Sequence, residues 1–450
     1  MKTMMSGVSA LCAVSLFGAV TVPTVSNVTM TQPATGSRLV TVSYDLDAEG
    51  IVTCDFLTNG VSIGHGNISP ALVGDVNKKV AAGTGKKIYW RPYKSWSDGK
   101  VLDGVSATVK VTAWASDNPP DYMVVDLAAS KSIAYYPSAE AVPDGVSNNV
   151  YKTSKMVFRK IPAANRSFVM GSPGAEVGRC TGLTGYSTFY LGSEDAHVVS
   201  FSNDYYMAIY ELTQAQYRIL LGETENGGHF NTASDADIRP RETIGRYHLT
   251  GTYSGPASSA RRYEIENVNG YVLGKFRNRT GLALASLPTE AEWEFAARAG
   301  VTSAYYWGGE MVESESGVYV AEALGDYAWY ADNANGETHP VGLKKPNAWG
   351  LYDMYGNVAE TTLDRAKLSG GQTGPLLYPS EAIDPIWSKD LTGDNGGAGN
   401  AANVVRGGSW LEPAASCRSA ARCAPYVSWG FNSVPGDGWY LGARLAVRLF

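Results

Sequence analysis

The chain has 450 residues, of which 44% are hydrophobic and 18% are charged. This balance is ordinary for a chain that buries a core, and it excludes a largely disordered protein. Lys and Arg number 37 and Asp and Glu number 43, so the net charge is −6, and we expect neither nucleic acid nor an anionic membrane as a partner. The 50 Gly, 27 Tyr and 11 Trp residues instead indicate aromatic-rich loops on a scaffold.

The first 25 residues have the pattern of a secretory signal peptide. Lys2 precedes an apolar run from Val8 to Val20, and a polar segment follows. A run this short cannot span a bilayer, but it fits the apolar region of a signal sequence. We therefore predict that residues 1–25 direct export to the periplasm, the cell surface or the medium, with a buried N-terminal strand or helix as the alternative. No later segment has the length of a transmembrane helix.

Residues 26–118 combine strands with turns. Apolar and polar residues alternate along 38–44 and along 105–113, as they do in strands with one buried face. Asn59 and Gly60 form the dipeptide most typical of a two-residue hairpin loop. This region therefore predicts a small antiparallel β-sandwich of the immunoglobulin type.

Beyond this region, a connector and two helices are predicted. Two consecutive prolines end the strand-rich part, and we interpret residues 119–153 as an extended connector with one short strand. Thr213 begins a capping box that Gly222 terminates, and Thr289 begins a second one that ends before Gly300. Both segments carry an apolar stripe at helical spacing, so each predicts a short amphipathic helix.

Six spaced motifs occur in a recognisable order over residues 154–450. They are FVMGS at 168–172, YELTQAQY at 210–217, LPTEAEWEFAARAG at 287–300, HPVG at 339–342, NAWGLYDMYGNV at 347–358 and RGGSW at 406–410. Together they resemble the formylglycine-generating-enzyme, or sulfatase-modifying factor, family. The resemblance implies a C-type-lectin-like domain with two helices, a small sheet and long ordered loops. The expected fold class is α+β, with the β-sandwich ahead of this domain.

The resemblance does not extend to the cysteines of the family. Its oxidases use a cysteine pair that holds copper(I), with one cysteine directly before an Ala-Ala-Arg tripeptide. Here Ser419 stands at that place, flanked by Cys417 and Cys423. We therefore predict no catalytic residues and do not expect copper, although a copper- or iron-dependent oxidase acting on a thiol substrate through Cys417 and Cys423 is the alternative. The five histidines lack the helical spacing of an iron site.

The resemblance also implies a calcium site. Enzymes of the family bind calcium in the loop that matches residues 353–360. In this chain the implied ligands are side-chain oxygens of Asp353 and Glu360 and backbone carbonyls of Gly356 and Val358, a set of hard oxygen donors that suits calcium. The alternative is that Glu360 only orders the loop.

The C-terminal segment is rich in rings separated by Gly, Pro, Ser and Asn. This composition resembles an antibody paratope, in which rigid aromatic residues provide contact area and small polar residues adapt. It is also similar to the variable proteins of diversity-generating retroelements. The predicted ligand contacts, which we call the terminal face, are Trp410, Glu412, Tyr426, Trp429, Phe431, Asn432, Trp439 and Tyr440.

The leading hypothesis is an exported, non-catalytic recognition protein whose terminal face binds a protein or glycan ligand. The alternative in which the rings of the terminal face only pack on the sheet is also open, as is a structural role in a surface layer. The sequence does not indicate an oligomeric state.

Overall fold

The computed structural model describes residues 22–32, 39–94, 107–179, 188–190, 194–222, 228–244, 248–249, 271–313, 319–369, 372–373, 382–383, 401–425 and 439–449. The apolar run of the predicted signal peptide lies outside these residues. Within the described ranges, no helix has both the length and the apolar character needed to cross a membrane. The α-helices described are α1 (Gln214–Leu221), α2 (Val272–Thr280), α3 (Glu290–Arg298) and α4 (Leu324–Tyr327).

The N-terminal part contains eight strands. They are β1 (Val25–Thr31), β2 (Val40–Leu46), β3 (Gly50–Thr58), β4 (Val61–Ser62), β5 (Leu72–Gly74), β6 (Lys78–Val80), β7 (Gly83–Trp90) and β8 (Ala107–Trp114). One antiparallel sheet has the order β1-β2-β7-β5. In the other, β8 pairs with one edge of β3, and β4 and β6 pair with the opposite edge.

The two N-terminal sheets share one hydrophobic core. Side chains alternate between buried and partly exposed along β2, as the sequence pattern predicts. Phe56 and Trp90 stack within this core with their ring centroids 4.2 Å apart. Asn59 and Gly60 have positive φ angles of 50° and 78° and join β3 to β4, which confirms the predicted two-residue hairpin.

The remaining strands build the larger part of the protein. They are β9 (Tyr122–Asp126), β10 (Ser132–Tyr136), β11 (Lys155–Ile161), β12 (Arg166–Met170), β13 (Thr188–Tyr190), β14 (His197–Phe201), β15 (Tyr205–Ala208), β16 (Ala285–Ser286), β17 (Met311–Glu313), β18 (Tyr319–Ala321), β19 (Ala359–Ser369), β20 (Gln372–Thr373), β21 (Ala382–Ile383), β22 (Ala401–Arg406), β23 (Arg422–Pro425), β24 (Leu441–Gly442) and β25 (Ala446–Arg448). Sheets predominate over helices, so the described structure is a mostly-sheet α+β protein, as predicted.

A six-stranded antiparallel sheet lies at the centre of this part. Its order is β10-β9-β11-β15-β25-β16, so the C-terminal strand β25 pairs beside β15. Residues 119–153, interpreted from the sequence as a connector, supply β9 and β10 of this sheet. Tyr206 donates a hydrogen bond to the carbonyl of Pro120, and Lys160 donates one to the carbonyl of Pro119. These bonds fix the chain at the point where it enters the sheet.

Helices cover both faces of the central sheet. The apolar sides of α1 and α2, with Leu220 and Phe276, pack on one face, and α3 packs on the other through Trp293. Thr213 and Thr289 both form the predicted capping boxes, and Gly222 ends α1 with a positive φ. The six-stranded sheet is thereby buried on both sides, which gives the loops of the site a rigid base.

A second sheet contains the predicted calcium ligand Glu360 and the first residue of the RGGSW motif, Arg406. Its order is β13-β23-β22-β19-β20, and β24 pairs in parallel with the start of β19. This sheet brings Glu360 of β19 opposite Arg406 of β22, and Arg406 opposite Arg422 of β23. A further sheet has the order β12-β14-β21, and β17 pairs with β18.

Candidate recognition site

The family's cysteine position is buried and hydrogen bonded. The Ser419 hydroxyl lies 2.5 Å from the Tyr355 hydroxyl, and the Ser419 amide donates to the carbonyl of Ala304. Cys417 ends a short 3-10 helix and has no exposed surface. Burial raises the pKa of the Cys417 thiol, so this sulfur stays protonated at neutral pH and is a poor nucleophile. Cys423 lies in β23 opposite Val405.

Cys417 is therefore expected to resist alkylation in the folded protein. At pH 8, peptide mapping after iodoacetamide treatment should show Cys417 labelled roughly a hundredfold more slowly than in the unfolded chain, because the reagent meets neither a thiolate nor an exposed sulfur. Cys54, which is also buried with a raised pKa, serves as the internal comparison. Rapid labelling of Cys417 alone would contradict this account and indicate an accessible reactive thiol.

Two of the predicted calcium ligands contact the buried Arg444: it donates to the backbone carbonyl of Asp353 and to the side chain of Glu360. Both oxygens of Glu360 accept hydrogen bonds from Arg444, at distances of 2.7 to 3.1 Å. The Trp293 indole donates a further bond of 2.7 Å to Glu360. Asp353 accepts a bond from the Gly342 amide, and its other oxygen is buried without a partner.

In the arrangement described, both oxygens of Glu360 are already hydrogen bonded to Arg444. A cation bound by Glu360 would have to compete with the guanidinium of Arg444 for the same two oxygens. Within the described part of the chain, no cluster of three or more His, Cys, Asp or Glu side chains is placed to hold a metal. Calcium binding at Asp353, Gly356, Val358 and Glu360 stays a prediction.

Arg444 is the centre of a buried charge cluster that we call the Arg444 cluster, formed with Glu211, Asp353 and Glu360. Burial raises the pKa of Glu211 well above its usual value, and the carboxylates of Asp353 and Glu360 raise it further. Burial also raises the pKa of Asp353 to about 6. Glu211 accepts hydrogen bonds from the Asn357 side chain and the Val358 amide. The cluster thus fixes the loop of residues 353–360, in which the Asn357 carbonyl accepts the Trp410 amide.

A second buried ion network supports the RGGSW motif. Arg406 pairs with Glu294 of α3 and lies over the Trp293 ring. Arg422 pairs with Glu290 of the same helix through two hydrogen bonds of 2.5 and 2.6 Å. Strands β22 and β23 are therefore held against α3 by ion pairs as well as by apolar packing.

The structure describes four of the eight residues predicted for the terminal face. Trp410, Glu412 and Tyr440 are buried, with exposed fractions of 8%, 3% and 4%, and Trp439 is half-buried. The first three are therefore enclosed by the fold, and Trp439 is partly exposed. The other four predicted contacts lie outside the described residues: Tyr426, Trp429, Phe431 and Asn432.

Trp439 belongs to an aromatic cluster at the surface. The exposed His229 ring stacks on the Trp439 indole, with centroids 3.4 Å apart and planes 14° apart. Phe230 meets Trp410 edge to face at 5.4 Å, and the Trp410 indole donates to the Trp439 carbonyl at 3.1 Å. We call these four residues the aromatic platform. The exposed part of this platform is the His229 ring, which covers one face of the half-buried Trp439 indole.

A buried carboxylate positions the loop that carries His229. The two oxygens of Glu242 accept the backbone amides of His229 and Phe230 at 2.9 and 3.0 Å, and the Thr243 hydroxyl donates to the same carboxylate. The sequence did not predict a role for His229, Phe230 or Glu242. The only local signal was an aromatic pair that follows two glycines, and that pattern does not indicate which distant tryptophan it will meet.

Comparison with known proteins identifies the family. A model described as the sulfatase-modifying factor enzyme 1-like domain matches residues 181–430, which is more than half of the chain. The chain belongs to this family. It is 41% identical over 102 residues to the formylglycine-generating enzyme of Mycobacterium tuberculosis strain H37Rv, which covers 22% of this chain and 30% of that enzyme.

Two further relatives extend the comparison. The chain is 30% identical over 178 residues to chaperone protein LppX of Paenibacillus barcinonensis, covering 35% of this chain and 61% of that protein. The chain thus spans less than two thirds of the length of either curated relative. Among solved structures, Treponema denticola variable protein 1 has a TM-score of 0.39 and 26% identity, covering 65% of this chain and 95% of that protein.

Proposed function

We propose that this protein is a non-catalytic recognition protein that uses the family scaffold to display a ligand-binding surface near its C-terminus. The observation that carries the proposal is the state of the family's cysteine position. Ser419 stands there, bonded to Tyr355, and the neighbouring Cys417 thiol is buried with a raised pKa. A thiol oxidase needs an accessible thiolate, and Cys417 does not offer one.

The aromatic platform supports a role in binding. The exposed His229 ring, stacked on the Trp439 indole, offers one flat aromatic surface, and Trp410 and Phe230 hold this pair in place. Flat aromatic surfaces bind the apolar faces of sugars or the side chains of peptides, and a single well-placed ring can contribute about 2 kcal/mol or more. We propose that Tyr426, Trp429, Phe431 and Asn432, the other predicted contacts of the C-terminal segment, also bind the ligand. The ligand class is a glycan or a protein.

We further propose an exported protein in which a β-sandwich precedes a C-type-lectin-like domain. The N-terminal apolar run supports export, and two antiparallel sheets around one core support the sandwich. If the C-terminal segment is diversified, as in variable proteins of retroelements, a reverse transcriptase and a template repeat should lie beside the gene. A sulfatase gene there would favour a maturation enzyme instead.

Binding arrays test the proposed function. Purified wild-type protein should bind a distinct set of ligands on glycan and peptide arrays, and the Trp429→Ala/Trp439→Ala double variant should lose most of that binding. Leu343→Ala is a matched control, because Leu343 is an exposed apolar residue with 59% of its surface accessible. Equal binding by the wild type and the double variant would reject the terminal face as the site.

The alternative is an oxidase, which family membership favours. It would use Cys417 and Cys423 with copper or iron and act on a thiol substrate. It predicts three results: a reactive thiol pair, stoichiometric copper(I) uptake, and oxygen consumption with a cysteine-containing peptide. Failure of all three removes this alternative.

A further inference from the structure

Thr243 has a backbone conformation that is unusual for its side chain. Its φ angle is +61°, in the left-handed region. In the described part of the chain twelve non-glycine residues have positive φ; eight of them are Asn or Asp, and Thr243 alone is β-branched. A β-branched residue is an outlier in this region because its Cβ crowds the neighbouring backbone, and such strain persists only where surrounding contacts impose it. The contacts on either side of Thr243 therefore indicate what the strain maintains.

The residues before Thr243 hold one half of the aromatic platform. Arg241 donates its amide to the carbonyl of Leu212 at 2.7 Å and its guanidinium to the carbonyl of Glu242. The Thr243 hydroxyl donates to the Glu242 carboxylate at 2.6 Å, on the same oxygen that accepts the His229 amide. The position of the His229 loop therefore depends on a carboxylate that is fixed by both of its neighbours in the chain.

Ile244 connects the same turn to the other half of the platform. It is fully buried, and its amide donates to the carbonyl of Leu441 at 3.4 Å, two residues beyond Trp439. A Cβ added at Gly442 would lie 3.4 Å from a carbonyl oxygen of the turn, so the two segments run side by side. The turn of residues 241–244 thus contacts both of the remote segments whose rings stack in the platform.

We propose that Thr243 is a positioning residue of the recognition site, and that its strained turn keeps the His229 ring on the Trp439 indole before a ligand arrives. Because both neighbours of Thr243 are fixed, its backbone angle sets the position of the Glu242 carboxylate relative to residues 439–441. A surface that is ordered in advance loses less conformational freedom on binding, and it binds more tightly for that reason. The effect on binding rests on the proposed function, whereas the arrangement itself is tested without a ligand.

Hydrogen exchange in Thr243→Gly tests this proposal. Glycine adopts positive φ freely but also many other conformations, and it lacks the hydroxyl that is bonded to Glu242. Fragment-ion mass spectrometry of the full-length protein should show the His229 and Phe230 amides exchanging about fivefold faster than in the wild type, the equivalent of one net hydrogen bond. The amides of β11 and the midpoint of guanidinium unfolding should not change, because relief of the strain offsets the lost bond.

Two further variants serve as controls for the exchange measurement. Thr243→Ser keeps the hydroxyl and should exchange at the His229 and Phe230 amides within about twofold of the wild type. Ala299, at the end of α3, also has a left-handed conformation, with a φ angle of 46°. Ala299→Gly relieves that conformation outside the platform and should leave both amides unchanged.

A second readout follows the indole. The protein is labelled with 5-fluorotryptophan, and the fluorine resonance of Trp439 is assigned by its loss in Trp439→Phe. In Thr243→Gly this resonance should move part of the way toward its position in His229→Ala, because the imidazole leaves the indole for part of the time.

Two results would overturn the proposal. One is unchanged exchange at the His229 and Phe230 amides together with an unmoved Trp439 resonance. The other is faster exchange throughout β11 with a lower unfolding midpoint, because Thr243 would then only stabilise the fold as a whole. Ligand binding enters neither measurement, so failure of this proposal and failure of the proposed function on the arrays are distinguishable.

Discussion

Replacing Arg444 by methionine should lower the free energy of unfolding by about 3–5 kcal/mol, the range for breaking a buried ion pair. Arg444 is fully buried and makes three hydrogen bonds to Glu360. It also donates to the carbonyls of Ala208 and Tyr352. The variant keeps most of the side-chain volume but leaves a buried carboxylate without its cation. Guanidinium denaturation at pH 7 measures the change.

Two controls separate this effect from ordinary loss of a charge. Lys345→Met removes an exposed ion pair with Asp326, whose side chains are 62% and 57% accessible, and should change stability by about 0–1 kcal/mol. The Arg444→Met/Glu360→Gln double variant should recover part of the loss, because it removes the unpaired charge. A stable Arg444→Met single variant would show that the Arg444 cluster does not hold the loop of residues 353–360 in place.

Replacing Trp410 by alanine should lower the free energy of unfolding by about 3–5 kcal/mol, the usual range for deleting a buried large aromatic side chain. Only 8% of the Trp410 surface is exposed. Its ring packs edge to face with Phe230, and its indole donates a hydrogen bond to the Trp439 carbonyl. Trp439→Ala should cost clearly less stability, because that side chain is only half-buried. Denaturation of both variants under one condition measures the difference.

The opposite order of stability would contradict the assignment of Trp410 as a support and Trp439 as a contact. Equal losses would mean that the two tryptophans form one packed unit. In that case, a binding defect in Trp439→Ala could not be assigned to ligand contact without a folded control such as Trp439→Phe.

Local signals in the sequence were sufficient to predict several structural elements. The capping boxes at Thr213 and Thr289 form as predicted, because a side-chain oxygen three residues from its partner amide needs no distant contact. The Asn59-Gly60 hairpin also depends only on neighbouring residues, because both turn residues can adopt positive φ angles. Helix α2 was missed because its N-cap, Tyr271, makes no side-chain capping bond and its interior contains Gly274. Tertiary packing of its apolar side on the central sheet stabilises it instead.

The candidate site depends on contacts between distant residues, which the sequence could not supply. Nothing near Glu360 indicates that Arg444 will occupy both of its oxygens, 84 positions later. Trp410 and Tyr440 are residues of the kind found at binding surfaces, yet both are buried in the folded protein. His229 joins Trp439 only because the fold brings two remote loops together. The order of the motifs was sufficient to identify the family. The roles of individual aromatic side chains depend on the folded structure and could not be predicted from the sequence.

Calorimetric titration of a ligand selected on the arrays tests the central claim most directly. Trp439→Ala should bind that ligand about 30-fold more weakly than the wild type, the equivalent of about 2 kcal/mol for one aromatic anchor. Leu343→Ala should bind it with unchanged affinity. If Trp439→Ala is folded and binds as tightly as the wild type, the aromatic platform does not contact the ligand and the recognition site lies elsewhere.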